Sequence, residues 1–254
     1  MNKTQAMKAL KDASVETCKK TFLRHGVPEP FFGVRYGDMY RIVKEIGTDH
    51  ALAEELWATG NHDARICATM IADPAQVKAT MLDKWVKTAS NQLMLDAMAA
   101  LAGKSKHARR CMEKWIASKQ EWVAATGWHI LAGGCCGRPG EAKGDVAALS
   151  EDELGEYLEH IESNIHASKN RVKHSMNGAL IAIALRSPAL QKQALAAAKR
   201  IGTVEVDHGD TSCKTPDAVS YIKKAAEHQK KGSAKKVAKK VAKKMTKKKT
   251  RKPA

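Results

Sequence analysis

Three tryptophan-centred strings most constrain the fold of this chain. Leu-Trp-Ala-Thr-Gly-Asn around Trp57, Lys-Trp-Val-Lys-Thr-Ala-Ser-Asn around Trp85 and Lys-Trp-Ile-Ala-Ser-Lys-Gln around Trp115 share one design. Each places Trp near the end of a helix, then a polar turn, then the next helix. The intervals from Trp57 to Trp85 and from Trp85 to Trp115 are each about one helix pair long. Apolar residues recur at three- and four-residue steps, as at Leu52, Leu56, Ile66 and Met70, which is the helical period. Helix pairs of this length cannot bury their apolar faces alone, so several must stack into a curved solenoid. A generic helical bundle with Trp as core filler is the alternative. Either way the chain is all-α, with eleven or twelve helices expected.

Punctuation supports that division. Gly60-Asn61 ends one helix and offers Asn61 as the cap of the next. Asp73-Pro74 is expected to seat Pro74 in a first turn, and Thr215-Pro216 likewise. Ser150 with Glu153 fits a capping box, and Ser187-Pro188 separates two further helices. Thr203 to Val206 is a short candidate strand. Aromatic residues make up 5% of the chain, which favours helices over sheet.

Charge is distributed unevenly. Of forty-four Lys and Arg, thirteen lie in residues 230–254, which contain no Asp or Glu. The preceding 229 residues hold the other thirty-one against all 27 carboxylates, a formal +4. The domain reading is therefore a helical-repeat body, 1–229, and a disordered Lys-rich tail, 230–254. Lys pairs recur every four residues in the tail: Lys235 and Lys236, Lys239 and Lys240, Lys243 and Lys244, Lys247 and Lys248. They are expected to meet DNA phosphates without reading sequence. A membrane surface is the rival polyanion, but no bulky apolar residue accompanies the lysines to enter lipid. No apolar run approaches membrane-spanning length, and the N-terminus has no signal-peptide core. The six cysteines show no Cys-x-x-Cys pair, so reduced thiols and a cytoplasmic, nucleoid-associated or nuclear location are expected.

Phe32-Gly33-Val34-Arg35, Ala53 to Arg65 (Ala-Glu-Glu-Leu-Trp-Ala-Thr-Gly-Asn-His-Asp-Ala-Arg) and Trp122-Val123 resemble the DNA alkylation repair family, the AlkD-like glycosylases. The resemblance covers roughly residues 31–227 and leaves the tail outside. It implies HEAT-like helical repeats whose concave, positively lined groove holds double-stranded DNA. Its active members excise cationic N3- and N7-alkylated purines without flipping the base, and need no cofactor. They use an Asp that favours the developing oxocarbenium, with aromatic rings against the lesion-bearing sugar and backbone. Asp96 falls on that carboxylate. Gln92, one helical turn before it, stands where the family has Trp. Ala124-Ala125 occupy the place of a phosphate-clamping Arg, and Gly178 that of a second Trp. Trp128 lies one turn beyond the missing Arg and offers a ring from a different place.

Two functions follow from the resemblance. One is a glycosylase with Asp96 as its catalytic residue; the other is a non-catalytic, architectural DNA-binding protein that keeps the groove. A helical-repeat adaptor for protein partners is a third reading. In the body, Arg65, Lys169, Arg171, Lys173 and His174 are the candidate DNA contacts, four of them clustered at the start of one helix. The stretch Val206 to Cys213 gathers Asp207, His208, Asp210 and Cys213. It reads as a structured loop, and no metal site is assigned. Gly133 to Gly140 is glycine-rich but is not a phosphate loop. A monomer with no obligate protein partner is expected.

Overall fold

The computed structural model describes residues 1–136 and 145–228. The part of the glycine-rich segment at 137–140, the 229/230 boundary and all the tail lysines lie outside the described residues. Among the described residues twelve α-helices lie between Lys3 and Ile201. They are α1 (Lys3–Asp12), α2 (Glu16–Arg24), α3 (Tyr36–Ile46), α4 (His50–Ala58), α5 (His62–Ile71) and α6 (Ala79–Val86). Then come α7 (Gln92–Lys104), α8 (Ala108–Ile116), α9 (Glu121–Cys135), α10 (Glu151–Asn164), α11 (Asn170–Ala184) and α12 (Pro188–Ile201). Residues 218–228 are helical to the edge of the described chain. Among the described residues there is no strand: 203–206, the candidate strand, forms no regular element, and Ser14 opposite Val34 is an isolated bridge.

The helices form two rows. α5 packs on α3 and α7, α7 on α9 and α9 on α11, giving an inner row of odd-numbered helices. α4, α6, α8, α10 and α12 lie outside, with α4 against α5, α8 against α9 and α12 against α11. This is the HEAT-like solenoid that the repeat predicts. The tryptophans explain the repeat: the rings of Trp57 and Trp85 stack in parallel, 4.0 Å apart and 3° off coplanar, joining successive outer helices. Trp115 is tied back by its indole N–H, which donates to Asp83 at 2.9 Å. Asp83 also accepts from Lys114 at 2.7 Å and Arg110 at 3.0 Å. Burial pushes this carboxyl up, but those three donors outweigh burial and hold it down at about 2. On the other side of α8, Gly127 lets α9 approach closely. A Cβ there would sit 2.6 Å from the Ile116 nitrogen, so a larger residue forces the helices apart.

Asn61, Ser150 and Ser187 cap α5, α10 and α12 through their side chains, with Pro188 in the first turn of α12. Two expected starts are corrected. Pro74 sits in a non-helical turn, and α6 begins only at Ala79. Asp73 holds that turn by accepting from the Ala75 N–H and the Gln76 amide. Before the last helical segment the cap is Asp217, which accepts from Ser220 N–H at 2.8 Å. Thr215 instead bonds histidines of a neighbouring loop and helix.

The most specific sequence motif proves to be structural. Asp63, 1% exposed on the α5 N-terminus, accepts the backbone N–H groups of Phe32 (2.6 Å), Gly33 (3.0 Å) and Val34 (2.9 Å). Gly33 has φ +77°, and its Cα approaches the Lys19 backbone too closely for a side chain. The Phe-Gly-Val string is thus the ligand of the Asp-Ala-Arg string. Together they fix α1 and α2 against the repeat. Arg65 completes the clamp, with its guanidinium 5.4 Å from the Trp57 ring centroid and its Nε–H directed to the Trp57 carbonyl at 3.4 Å.

Candidate nucleic-acid interface

The inner row presents helix N-termini in sequence. α3 starts at Arg35 and Tyr36, α7 at Asn91 and Gln92, α9 at Gln120 and Glu121, and α11 at Lys169 and Asn170. Asn91 caps α7 through its side chain, whereas α3 and α9 begin without a side-chain cap. Their first N–H groups and the positive ends of the helix dipoles suit an anion. At these ends lies a cleft of about 810 Å³. One side is the end of α2, from Cys18 to Gly26, and the other is the loop from His208 to Lys214. Arg24, Arg35, Arg171 and Lys214 line it with three histidines, His25, His174 and His208, and no carboxylate is among the described lining residues.

Arg171 lies 5.6 Å from the Trp122 ring centroid, a cation–aromatic platform on the cleft wall. Its own backbone N–H is accepted by Glu121 at 2.7 Å, tying the starts of α9 and α11 together. His174 and His208 meet edge to face at 5.3 Å, and both reach the Thr215 hydroxyl, at 3.4 Å and 3.0 Å. Burial, the partner imidazole and Arg171 hold His174 below the usual histidine range; burial and then Arg171 do the same to His208. A phosphate in the cleft would relieve that repulsion.

The loop over α11 is built by polar side chains. Asn170 and Asp207 exchange two hydrogen bonds, at 2.6 Å and 2.7 Å, and Asp207 also accepts from Gly209 N–H. Asn177 donates to the Pro216 carbonyl at 2.9 Å. Among the described residues no group of three or more His, Cys, Asp or Glu is arranged to hold a metal. All six cysteines are free.

Asp96 lies on the same face, one turn along α7. It accepts from the Gln92 amide at 2.7 Å and stands 3.5 Å from His129 Nε2. Burial raises its pKa, while His129 and Gln92 pull the other way. Tyr36 and Tyr40 lie one turn apart on α3 with ring centroids 6.2 Å apart, and Tyr36 is near enough to feel the Asp96 charge. Burial, then Asp96, push the Tyr36 phenol up to about 12.

Of the body residues expected to contact DNA, Arg171 and His174 line the cleft. Arg65 is engaged with Trp57, and Lys169 donates to the Lys119 carbonyl at 2.8 Å. Lys173 is half-buried and outside the lining. Trp128 cannot supply a ring to the groove: it is 1% exposed and packs edge-on against Tyr157. Ala124 and Ala125 are also buried, while a Cβ on Gly178 would meet only open space. Sequence reading missed Arg24, Arg35, Lys214, His208, Tyr36 and Trp122 as lining residues. The available signal was the helix starts: Arg35-Tyr36 and Glu121-Trp122 each open an inner helix.

Comparison with known proteins agrees with this architecture. The family model described as "DNA alkylation repair enzyme" matches residues 4–222, so the match extends to α1 and α2. The chain is similar to uncharacterized protein Lin0241 of Listeria innocua, 30% identical over 213 residues, 81% of this chain and 89% of that protein. It is 28% identical to uncharacterized protein Lmo0209 of Listeria monocytogenes over 218 residues, 83% of this chain and 91% of that one. A solved structure described as "A new family of proteins related to the HEAT-like repeat DNA glycosylases with affinity for branched DNA structures" superposes with a TM-score of 0.81 at 32% identity. It covers 90% of this chain and 95% of its own. With its two-row solenoid and basic inner cleft, the chain belongs to the DNA alkylation repair enzyme family, in its HEAT-like repeat form.

Proposed function

We propose that this protein binds double-stranded DNA across the N-terminal ends of its inner helices, prefers branched DNA, and releases no alkylated base. The observation that carries the reading is the cleft itself, where four Arg or Lys side chains and several helix N-termini meet with no carboxylate among the described lining residues. Such a surface attracts a polyanion at long range and cradles phosphate at contact. The affinity for branched DNA described for the related structure points the same way. The chain would act with chromosomal DNA as its partner, as a monomer.

Catalysis of the family type needs an ionised carboxylate beside the sugar, with rings to seat the lesion. Here the Asp96 carboxylate is engaged by the Gln92 amide at 2.7 Å and stands 3.5 Å from His129 Nε2. Gln92 and Gly178 stand at the two positions where the resemblance expects Trp, and Trp128 is buried, so the family's own pairing of ring and carboxylate is not reproduced. Binding without chemistry is therefore the better reading.

The test measures two quantities on the full chain. Affinities for a linear duplex and for three- and four-way junctions of equal length are compared at fixed salt, and base release is assayed on DNA containing N7-methylguanine. We expect junctions to bind more tightly and base release to stay at the uncatalysed rate. Arg171→Glu should weaken junction binding by about tenfold or more, because a cation–phosphate contact becomes a repulsion. Base release that disappears in Asp96→Asn would overturn the non-catalytic reading. Equal affinity for every DNA shape would overturn the branch preference.

A further inference from the structure

We propose that the inner cleft is a nucleotide pocket that takes one unpaired nucleotide of the bound DNA, base inward and phosphate at the rim. The inference rests on the DNA-binding reading above and deepens it. A volume of about 810 Å³ lies in the range of sites that enclose a single small organic ligand. A duplex can lie over the mouth of such a space but cannot enter it. The walls carry more than phosphate binding requires: the rings of Phe22, Tyr36 and Trp122, together with Val34 and Leu93. Flat apolar surfaces of this kind hold the face of a base, and the Arg171–Trp122 platform is the sort on which bases stack.

The polar groups at the start of α7 supply an edge for that base. Asn91 Oδ1 accepts from the Met94 N–H at 3.1 Å and lies 3.3 Å from His62 Nε2. A backbone N–H can only donate, so the amide is fixed with its oxygen inward and Nδ2 left over. Gln92 Nε2 donates to Asp96 Oδ1 at 2.7 Å. The carboxylate accepts, so Gln92 Oε1 is the atom left over. Neither leftover atom is hydrogen-bonded to another described residue, and both side chains line the cleft. A free donor and a free acceptor on consecutive lining residues can complement the hydrogen-bonding edge of an unpaired base. The rim cations Arg24, Arg35, Arg171 and Lys214 are placed for the flanking phosphates. An inserted nucleotide costs least where it is already unstacked and unpaired, and a branch point is such a place. Branch preference then follows from the pocket as well as from the shape of the arms.

The experiment uses the full chain and three versions of one three-way junction. One is fully paired, one carries two unpaired nucleotides at the branch, and one carries two abasic residues in the same places. We expect the unpaired bases to tighten binding by about tenfold over the abasic junction, the loss typical of one base–aromatic stack. Trp122→Leu and, separately, Gln92→Leu should each bring that ratio toward one. Gln92 is half-exposed, so its variant tests the pocket even if Trp122→Leu fails to fold. Equal affinity for the abasic and base-bearing junctions overturns the pocket and leaves the DNA-binding reading standing. Failure to bind any of the three junctions, or a linear duplex, overturns the DNA-binding reading itself and the pocket with it.

Discussion

Asp63→Ala is expected to remove about 3–5 kcal/mol of folding stability, or roughly 10 °C in Tm for a domain of this length. The carboxylate is buried and holds three consecutive backbone N–H groups at 2.6, 3.0 and 2.9 Å. Alanine leaves all three donors without their acceptor, two of them in buried bonds, and a buried donor left unsatisfied is costly. The segment so released carries the link between α2 and α3, where Ser14 donates to the Phe32 carbonyl and Val15 N–H to the Gly33 carbonyl. The loss should therefore spread to α1 and α2, one wall of the cleft. Asp63→Asn, which keeps one accepting oxygen, should lose less. Thermal unfolding followed by circular dichroism measures both; a shift of 1 °C or less in the alanine variant would contradict the assignment.

Removing the tail after Gln229 should have the largest effect on DNA binding. If about ten of its thirteen Lys and Arg neutralise phosphates, it contributes about −9 to the log–log dependence of affinity on salt. The four cations of the cleft account for only about −4 on the same scale. The shortened protein should therefore bind much more weakly at low salt, with a far shallower salt slope. It should also keep its preference for junctions, because lysine meets phosphate and reads neither sequence nor shape. Titrations at several salt concentrations give the slope directly. An unchanged slope would show that the tail does not touch DNA, and a lost junction preference would show that the cleft does not recognise it.

The helical array was legible because Trp spacing and caps are local. Trp57, Trp85 and Trp115 mark outer helix ends, and Asn61, Ser150 and Ser187 stop and start helices without tertiary help. Pro74 and Thr215 misled for one reason: a cap signal next to proline is satisfied equally well by a turn, and packing decides between them. Arg65 carried a motif signal that belongs to Trp57 and the clamp at Asp63. The cleft was legible only in part, since Arg171 and His174 sit in an evident cationic cluster. Arg24, Arg35 and Lys214 are single charges far apart in sequence, joined only when α2, α3 and the 208–214 loop converge. Trp128 looked available by spacing, but helical phase turned it into the core against Tyr157.

The central claim is that DNA lies across the starts of the inner helices. Backbone amide exchange of the full chain, alone and saturated with a four-way junction, tests it most directly. The account predicts slowed exchange at the beginnings of α3, α9 and α11 and in residues 208–214. Protection confined to the outer helices α4, α6 and α8, or absent from the body altogether, would contradict it.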